Sequence, residues 1–212
     1  KQAADLLRKA DNILLLAHQY PDGDTLGSGF ALAMGLSKIG KKCMIKCADE
    51  IPSKYSYFTS HFENKEIDYK TIVAVDTADI VLLGSLAKDF IGKIDLCIDH
   101  HGSNNFTAKE KYVDSDAAAN CEIIYKILVE LGVNFTEEMA DCLYTGISTD
   151  TGCFRYTNTT SDTMRITASL MDLGCNSAYI NKVMFETKSK EKIQLDAEKA
   201  DIRKGARIVA IP

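Results

Sequence analysis

The stretch Asn12–Gly29, NILLLAHQYPDGDTLGSG, passes from an apolar run into a turn carrying His18, Asp22 and Asp24 and then into a glycine-rich helix start. The run Asn12–Ala17 is continuous and short, as a strand buried on both faces of a sheet should be. The same grammar returns twice. Thr71–Val75 (TIVAV) is β-branched and ends at Asp76, and Ile94–Ile98 (IDLCI) ends at Asp99-His100-His101. Lys42–Cys47 reads as a further strand. Helices are expected over Leu26–Ile39, closed by Gly40, and over Ala117–Leu131, Glu137–Ser148, Ser161–Leu173 and Ala178–Glu186, with Gly132 and Gly174 at C-terminal stops. Strands alternating with helices predict an α/β fold with a doubly wound, mainly parallel sheet flanked by helices.

In such a sheet the carboxyl ends of the strands line the ligand crevice. Three strands therefore deliver His18, Asp22, Asp24, Asp76, Asp99, His100 and His101 to one edge, and Ser148–Gly152, with Asp150, follows a helix toward it. Three of the four histidines belong to this set, and no Lys or Arg does. Taken singly, each feature has an ordinary explanation: Asp-Gly-Asp as a turn, an Asp after a strand as a helix cap. Together, so many uncompensated carboxylates would repel one another unless cations were bound. Imidazole with carboxylate, and no thiolate, suits an ion such as Mn²⁺ better than structural zinc. The ligands exceed one coordination sphere, so two ions about 3.5–4 Å apart with a bridging carboxylate are expected, the machinery of phosphoester hydrolysis.

The remaining composition narrows the field. The 212 residues are 46% hydrophobic and 26% charged, with net charge −5, inside the ordinary globular range. No apolar run reaches the roughly 18 residues of a spanning helix, and there is no global basic field to attract nucleic acid. Seven scattered cysteines, an odd number with no C-x-x-C pair, predict reduced thiols packed in the core of a cytoplasmic protein. Cys43 and Cys47 have a spacing zinc could use, but no second pair completes the site. Asp150-Thr151-Gly152 is the tripeptide of aspartic proteases, whose chemistry needs two such loops sharing a proton; the helical surroundings argue against it. Gly23–Gly29 matches neither G-x-G-x-x-G nor the P-loop.

The motifs AHQYPDGDTLGS, VAVDTAD, IDHHGSN and YTGISTDTGCFRY, in this order and spacing, resemble the four signatures of the DHH phosphoesterase superfamily. The form PDGDTLGS with TDTGCFRY is closest to its NrnA-like branch, oligoribonucleases (nanoRNases) that also dephosphorylate 3′-phosphoadenosine 5′-phosphate. The match runs from about residue 12 to residue 156, and the helices to about 186 fit the rest of the catalytic domain. The resemblance implies two Mn²⁺ ions, one on His18, Asp22 and Asp76 and the other on Asp24, Asp76, His100 and Asp150, with Asp76 bridging. It further implies that His101 contacts phosphate or donates to the transition state, and that Asp99 orients a histidine. Arg155 has the chemistry for a substrate phosphate, and Ser28, Ser103 and Asn104 are candidate phosphate-side donors.

The expected organisation is a DHH catalytic domain over 1–186, a linker helix over 187–205 rich in Lys, Glu and Ala, and over 206–212 the first strand of a missing C-terminal substrate-binding domain. The expected activity is hydrolysis of short oligoribonucleotides to nucleoside 5′-monophosphates, with 3′-phosphoadenosine 5′-phosphate as a further substrate. A phosphodiesterase for cyclic or linear diadenylate is the runner-up. A manganese inorganic pyrophosphatase and a non-catalytic binding module that keeps the fold stand behind it. The expected partners are short RNA or a nucleotide phosphate and the missing domain in cis; a homodimer is left open.

Overall fold

In the computed structural model, which describes residues 2–187, helix α1 (Gln2–Lys9) leads into strand β1 (Ile13–Leu16). Helix α2 (Gly23–Lys38) and strand β2 (Cys43–Lys46) follow, then the short α3 (Ser56–Thr59) and β3 (Thr71–Val75). Helical turns over Ile80–Leu86 run into α4 (Ala87–Phe90), β4 (Leu96–Asp99) and β5 (Glu110–Val113). The second half is α5 (Asn120–Glu130), α6 (Glu137–Asp150), α7 (Ser161–Asp172) and α8 (Ser177–Asn181), which continues as a π-helical turn over Lys182–Glu186. The expected linker helix and the strand over 206–212 lie, apart from Thr187, outside the described residues.

The five strands are all parallel in the order β2-β1-β3-β4-β5. Alternation along the strands sorts their side chains between two cores. Ile13, Leu15, Val73, Val75, Leu96 and Ile98 face the larger one, with Leu7 of α1, Leu26 and Leu36 of α2, Ile124 of α5 and Leu143 of α6. Leu14, Leu16, Met44, Ile72, Ala74 and Cys97 face the smaller one, closed by Leu83, Phe90 and Phe106. The sheet is thus covered on both faces, as its apolar strands require. Five of the seven cysteines (Cys43, Cys97, Cys121, Cys142 and Cys175) are buried, and Cys47 and Cys153 are half-buried.

Two elements differ from the sequence reading in ways that matter for the site. Helix α2 begins three residues before the expected Leu26, because Asp22 caps it, accepting from the N–H groups of Asp24 (3.0 Å) and Thr25 (3.1 Å). Helix α6 runs two residues beyond the expected Ser148, so Asp150 stands on its last turn rather than in a following loop. Glycines let these helices meet: a Cβ on Gly27 would overlap the Cys142 carbonyl, and one on Gly23 would overlap the Thr149 side chain.

Candidate metal centre

The strand order reverses between β1 and β3, which makes the gap beyond their carboxyl ends the topological switch point. Register does the rest. Leu16 pairs with Ala74, so two residues on His18 comes beside Asp76. Val75 pairs with Ile98, so Asp76 comes beside Asp99 and His100. Asp76 leaves the strand with φ +52°, a left-handed conformation that Asp tolerates better than most residues. Thr25 ties the two strand ends to α2, accepting from the His18 N–H (3.3 Å) and donating to the Val75 carbonyl (3.4 Å).

Three groups of ligand atoms lie within 4.8 Å of one another: His18, Asp22 and Asp76; Asp24, His100 and Asp150; and Asp76, His100 and His101. His18 Nε2 is 3.7 Å from Asp22 Oδ1 and 3.6 Å from Asp76 Oδ2. His100 Nε2 is 3.6 Å from Asp24 Oδ2, 3.6 Å from Asp76 Oδ1 and 3.3 Å from Asp150 Oδ2. Most of these distances are too long for good hydrogen bonds. They suit ligands of a shared ion, which stand farther apart than a hydrogen-bonded pair because the ion lies between them. Two of the atoms concerned, Asp76 Oδ1 and His100 Nε2, are buried and have no hydrogen-bond partner among the described residues. A bound cation would satisfy both, so the residues fit a divalent metal.

The other ring nitrogens are already committed. His18 Nδ1 contacts the Gln19 carbonyl at 2.7 Å and His100 Nδ1 the Ala117 carbonyl at 3.3 Å, which places Nδ1–H there and leaves each Nε2 lone pair free for metal. Asp24 is fully buried and accepts the N–H groups of Asn120 (2.6 Å) and Cys121 (2.9 Å). It thus caps α5, whose own N-cap residue Ala119 has no capping side chain.

The carboxylates of the site favour protonation of its two inner imidazoles. Burial works against the charged form of His18, but its contacts with Asp22 and Asp76 raise it to about 11. Burial likewise opposes His100, while Asp150, Asp24 and Asp76 raise it to about 10. Desolvation, with Asp76 and Asp150 nearby, lifts Asp24 well above the ordinary carboxylate range, and desolvation raises Asp76 too.

His101 is different. Its Nδ1 bonds Asp99 Oδ1 at 2.8 Å, and this contact raises its pKa. Asp99 is buried and also accepts from the His100 N–H (2.9 Å) and Asn104 Nδ2 (2.6 Å). Desolvation opposes its charge, yet these bonds hold it below its usual range. The histidine that Asp99 grips is therefore the exposed His101, whose Nε2 has no partner among the described residues.

The remaining candidates are placed unevenly. Asn104 directs its amide inward, to Asp99 and to the Thr77 carbonyl (3.2 Å), so it braces the Asp99–His101 pair. Ser28 is buried between α2 and α5, accepting from Asn120 Nδ2 at 2.9 Å, and has no surface to offer a substrate. Ser103 is exposed on the loop after β4. Arg155 is exposed, with Nε donating to the Gly152 carbonyl at 2.6 Å. The sequence reading missed Thr25 and the amides of Asn120 and Cys121. The one local signal was the uncapped start of α5 at Ala-Ala-Ala-Asn.

Residues 12–147 match the DHH family, N-terminal domain. Over 189 residues the chain is 33% identical to the bifunctional oligoribonuclease and PAP phosphatase NrnA of Thermus thermophilus, covering 84% of this chain and 55% of that protein. The NrnA of Bacillus subtilis is 27% identical over 183 residues, covering 84% of this chain and 58% of the relative. The chain therefore spans little more than half the length of these relatives. An exopolyphosphatase-related protein from Bacteroides fragilis superposes with TM-score 0.85 at 19% identity, over 95% of this chain and 65% of that one, a likeness of fold. The match covers all three strand-end motifs on which the crevice is built, and the chain belongs to the DHH family.

Proposed function

We propose that this chain carries the catalytic centre of a two-metal phosphoesterase. It hydrolyses short oligoribonucleotides to nucleoside 5′-monophosphates and removes the 3′-phosphate of 3′-phosphoadenosine 5′-phosphate. The observation that carries this reading is Asp76, buried at the switch point, with one oxygen 3.6 Å from His18 Nε2 and the other 3.6 Å from His100 Nε2. A carboxylate so placed is a natural bridge between two ions. His18, Asp22 and Asp76 would hold one; Asp24, Asp76, His100 and Asp150 would hold the other. Mn²⁺ is the ion we expect, given imidazole and carboxylate donors. The names of the NrnA relatives, one 33% identical, support the substrate class.

Two divalent ions, when bound, supply charge neutralisation at the phosphate and activation of the attacking water. The protein's own groups do the rest. His101 in its protonated form, which the contact with Asp99 favours, gives Nδ1–H to Asp99 and offers Nε2–H to a phosphoryl oxygen as negative charge grows on it. Arg155 offers its exposed guanidinium to the same phosphate. Asp24 is fixed by the α5 amides before any ion arrives, so its geometry needs no reorganisation during reaction.

The test is Mn²⁺-dependent release of nucleotide from 5′-labelled diribonucleotides by the full natural protein, with 3′-phosphoadenosine 5′-phosphate and linear diadenylate in parallel and Asp76→Ala as control. Turnover of several short RNAs, abolished in Asp76→Ala, is the expected result. Turnover of diadenylate alone would move the protein to the dinucleotide phosphodiesterases. No turnover with metal bound would sink the enzymatic reading.

A further inference from the structure

Helix α6 ends in an unusual turn. Gly152, Cys153 and Phe154 have successive φ values of +56°, +59° and +64°, a left-handed conformation that residues with side chains avoid. The last carbonyls of the helix are accounted for one by one. Ile147 O accepts from the Thr151 N–H, Ser148 O from Cys153 and Thr149 O from Gly152. That leaves Asp150 O, which accepts from the side chain of Asn158 at 3.2 Å. The same Nδ2 donates to Ala118 O at 3.1 Å. One amide thus joins the residue that ends α6 to the segment leading into α5.

Both ends of this bridge lead to candidate ligands. Asp150 Oδ2 lies 3.3 Å from His100 Nε2. On the other side, Ala117 O orients His100 through Nδ1, and the N–H groups of Asn120 and Cys121 hold Asp24. Asp24, His100 and Asp150 come from α2, the β4 end and α6, and this is the ligand group to which α6 contributes. Their convergence depends on how α6 is registered against residues 117–121, and Asn158 bonds both partners directly.

We propose that Asn158 is a positioning residue for this group. It clasps Asp150 to the 117–121 segment and holds the left-handed turn shut, so that Asp24, His100 and Asp150 stay within reach of one ion. The proposal rests on the two-ion reading above. Asn158 touches neither ion nor substrate in it. Its loss weakens the ion held by Asp24, His100 and Asp150, and spares the one held by His18, Asp22 and Asp76, whose ligands come from β1, α2 and β3.

The test is calorimetric titration of the full natural protein with MnCl₂, wild type against Asn158→Ala and Asn158→Asp, with thermal melting of each without metal. Asn158→Asp keeps the volume but cannot donate to two carbonyls, and it serves if the alanine variant does not fold. Wild type is expected to bind two ions. Each variant should bind one at wild-type affinity and the other at least about tenfold more weakly, with the metal-free melting temperature little changed. Two ions bound at wild-type affinity in the variants would overturn the proposal. So would parallel weakening of both ions with a fall in melting temperature, which marks general loss of structure. A wild type that binds fewer than two ions would overturn the two-ion reading and this proposal together.

Discussion

Gly146→Ala tests whether the helix crossing sets the metal centre. A Cβ at this position would overlap Cys121 Sγ and lie 2.7 Å from Asp24 Oδ1 and 3.0 Å from Asp24 Cα. Carbon atoms in good contact sit about 3.5–4.0 Å apart, so α6 must draw back from Asp24 Cα by about 0.5–1 Å and from Cys121 Sγ as well, and where it cannot move far enough the Asp24 carboxylate and Cys121 must swing away. The first route withdraws Asp150 from His100; the second breaks the bonds from Asn120 and Cys121. Overpacking of this kind costs about 1–3 kcal/mol of stability. A misplacement near 1 Å at a catalytic centre costs about 100-fold in rate. Hydrolysis by the full natural protein should therefore fall about 100-fold in kcat/KM while most of the protein remains folded at 25 °C. The matched control is Gly92→Ala, at φ +72° with nothing within 4 Å of a Cβ. It carries backbone strain of about 1 kcal/mol without touching the site and should keep full activity. Activity of Gly146→Ala within threefold of wild type would refute the claim that this crossing fixes Asp24.

Two further outcomes follow from the same geometry. Asp22 caps α2 and, on the two-ion reading, would also offer an oxygen to an ion beside His18, and substitution separates the roles: Asp22→Ala should lose about 0.5–2 kcal/mol in urea melts of metal-free protein, Asp22→Ser much less, and both should lose hydrolysis. An active Asp22→Ser enzyme would remove Asp22 from the ligand set. Metal uptake should also release protons, because His18 and His100 are raised to about 11 and about 10 and are charged at neutral pH without metal. Their contribution to metal-free stability is full below about pH 6.5 and is lost as pH rises through those raised values, whereas Mn²⁺ affinity should climb with pH across the same window. Titration at pH 7 in buffers of different ionisation enthalpy should count about two protons displaced as both ions bind, and none displaced would contradict the arrangement.

What could be read from the sequence was what strands impose locally. NILLLA, TIVAV and IDLCI are long and apolar enough to announce themselves, and each ends in the residues that line the crevice. Strand β5 was not legible: Glu-Lys-Tyr-Val is short, polar and mostly exposed, as an edge strand tolerates and as a loop does too. The start of α2 was hidden for a related reason. Gly23, Gly27 and Gly29 count against a helix on propensity, yet Gly23 and Gly27 are what permit contact with α6. The candidate ligand residues were legible, and the groups that hold them largely were not. Asp24 meets the α5 amides across 96 and 97 residues of chain, and Asn158 reaches Ala118 across 40. No local pattern encodes such pairings, because each is satisfied by a backbone group whose identity the sequence does not mark. The capping rules mark only that a partner is owed, as at Ala119 before α5, and the fold decides which residue supplies it. In this protein Asp24, a candidate metal ligand, supplies it, so the bond that completes a helix also fixes a carboxylate of the candidate metal centre.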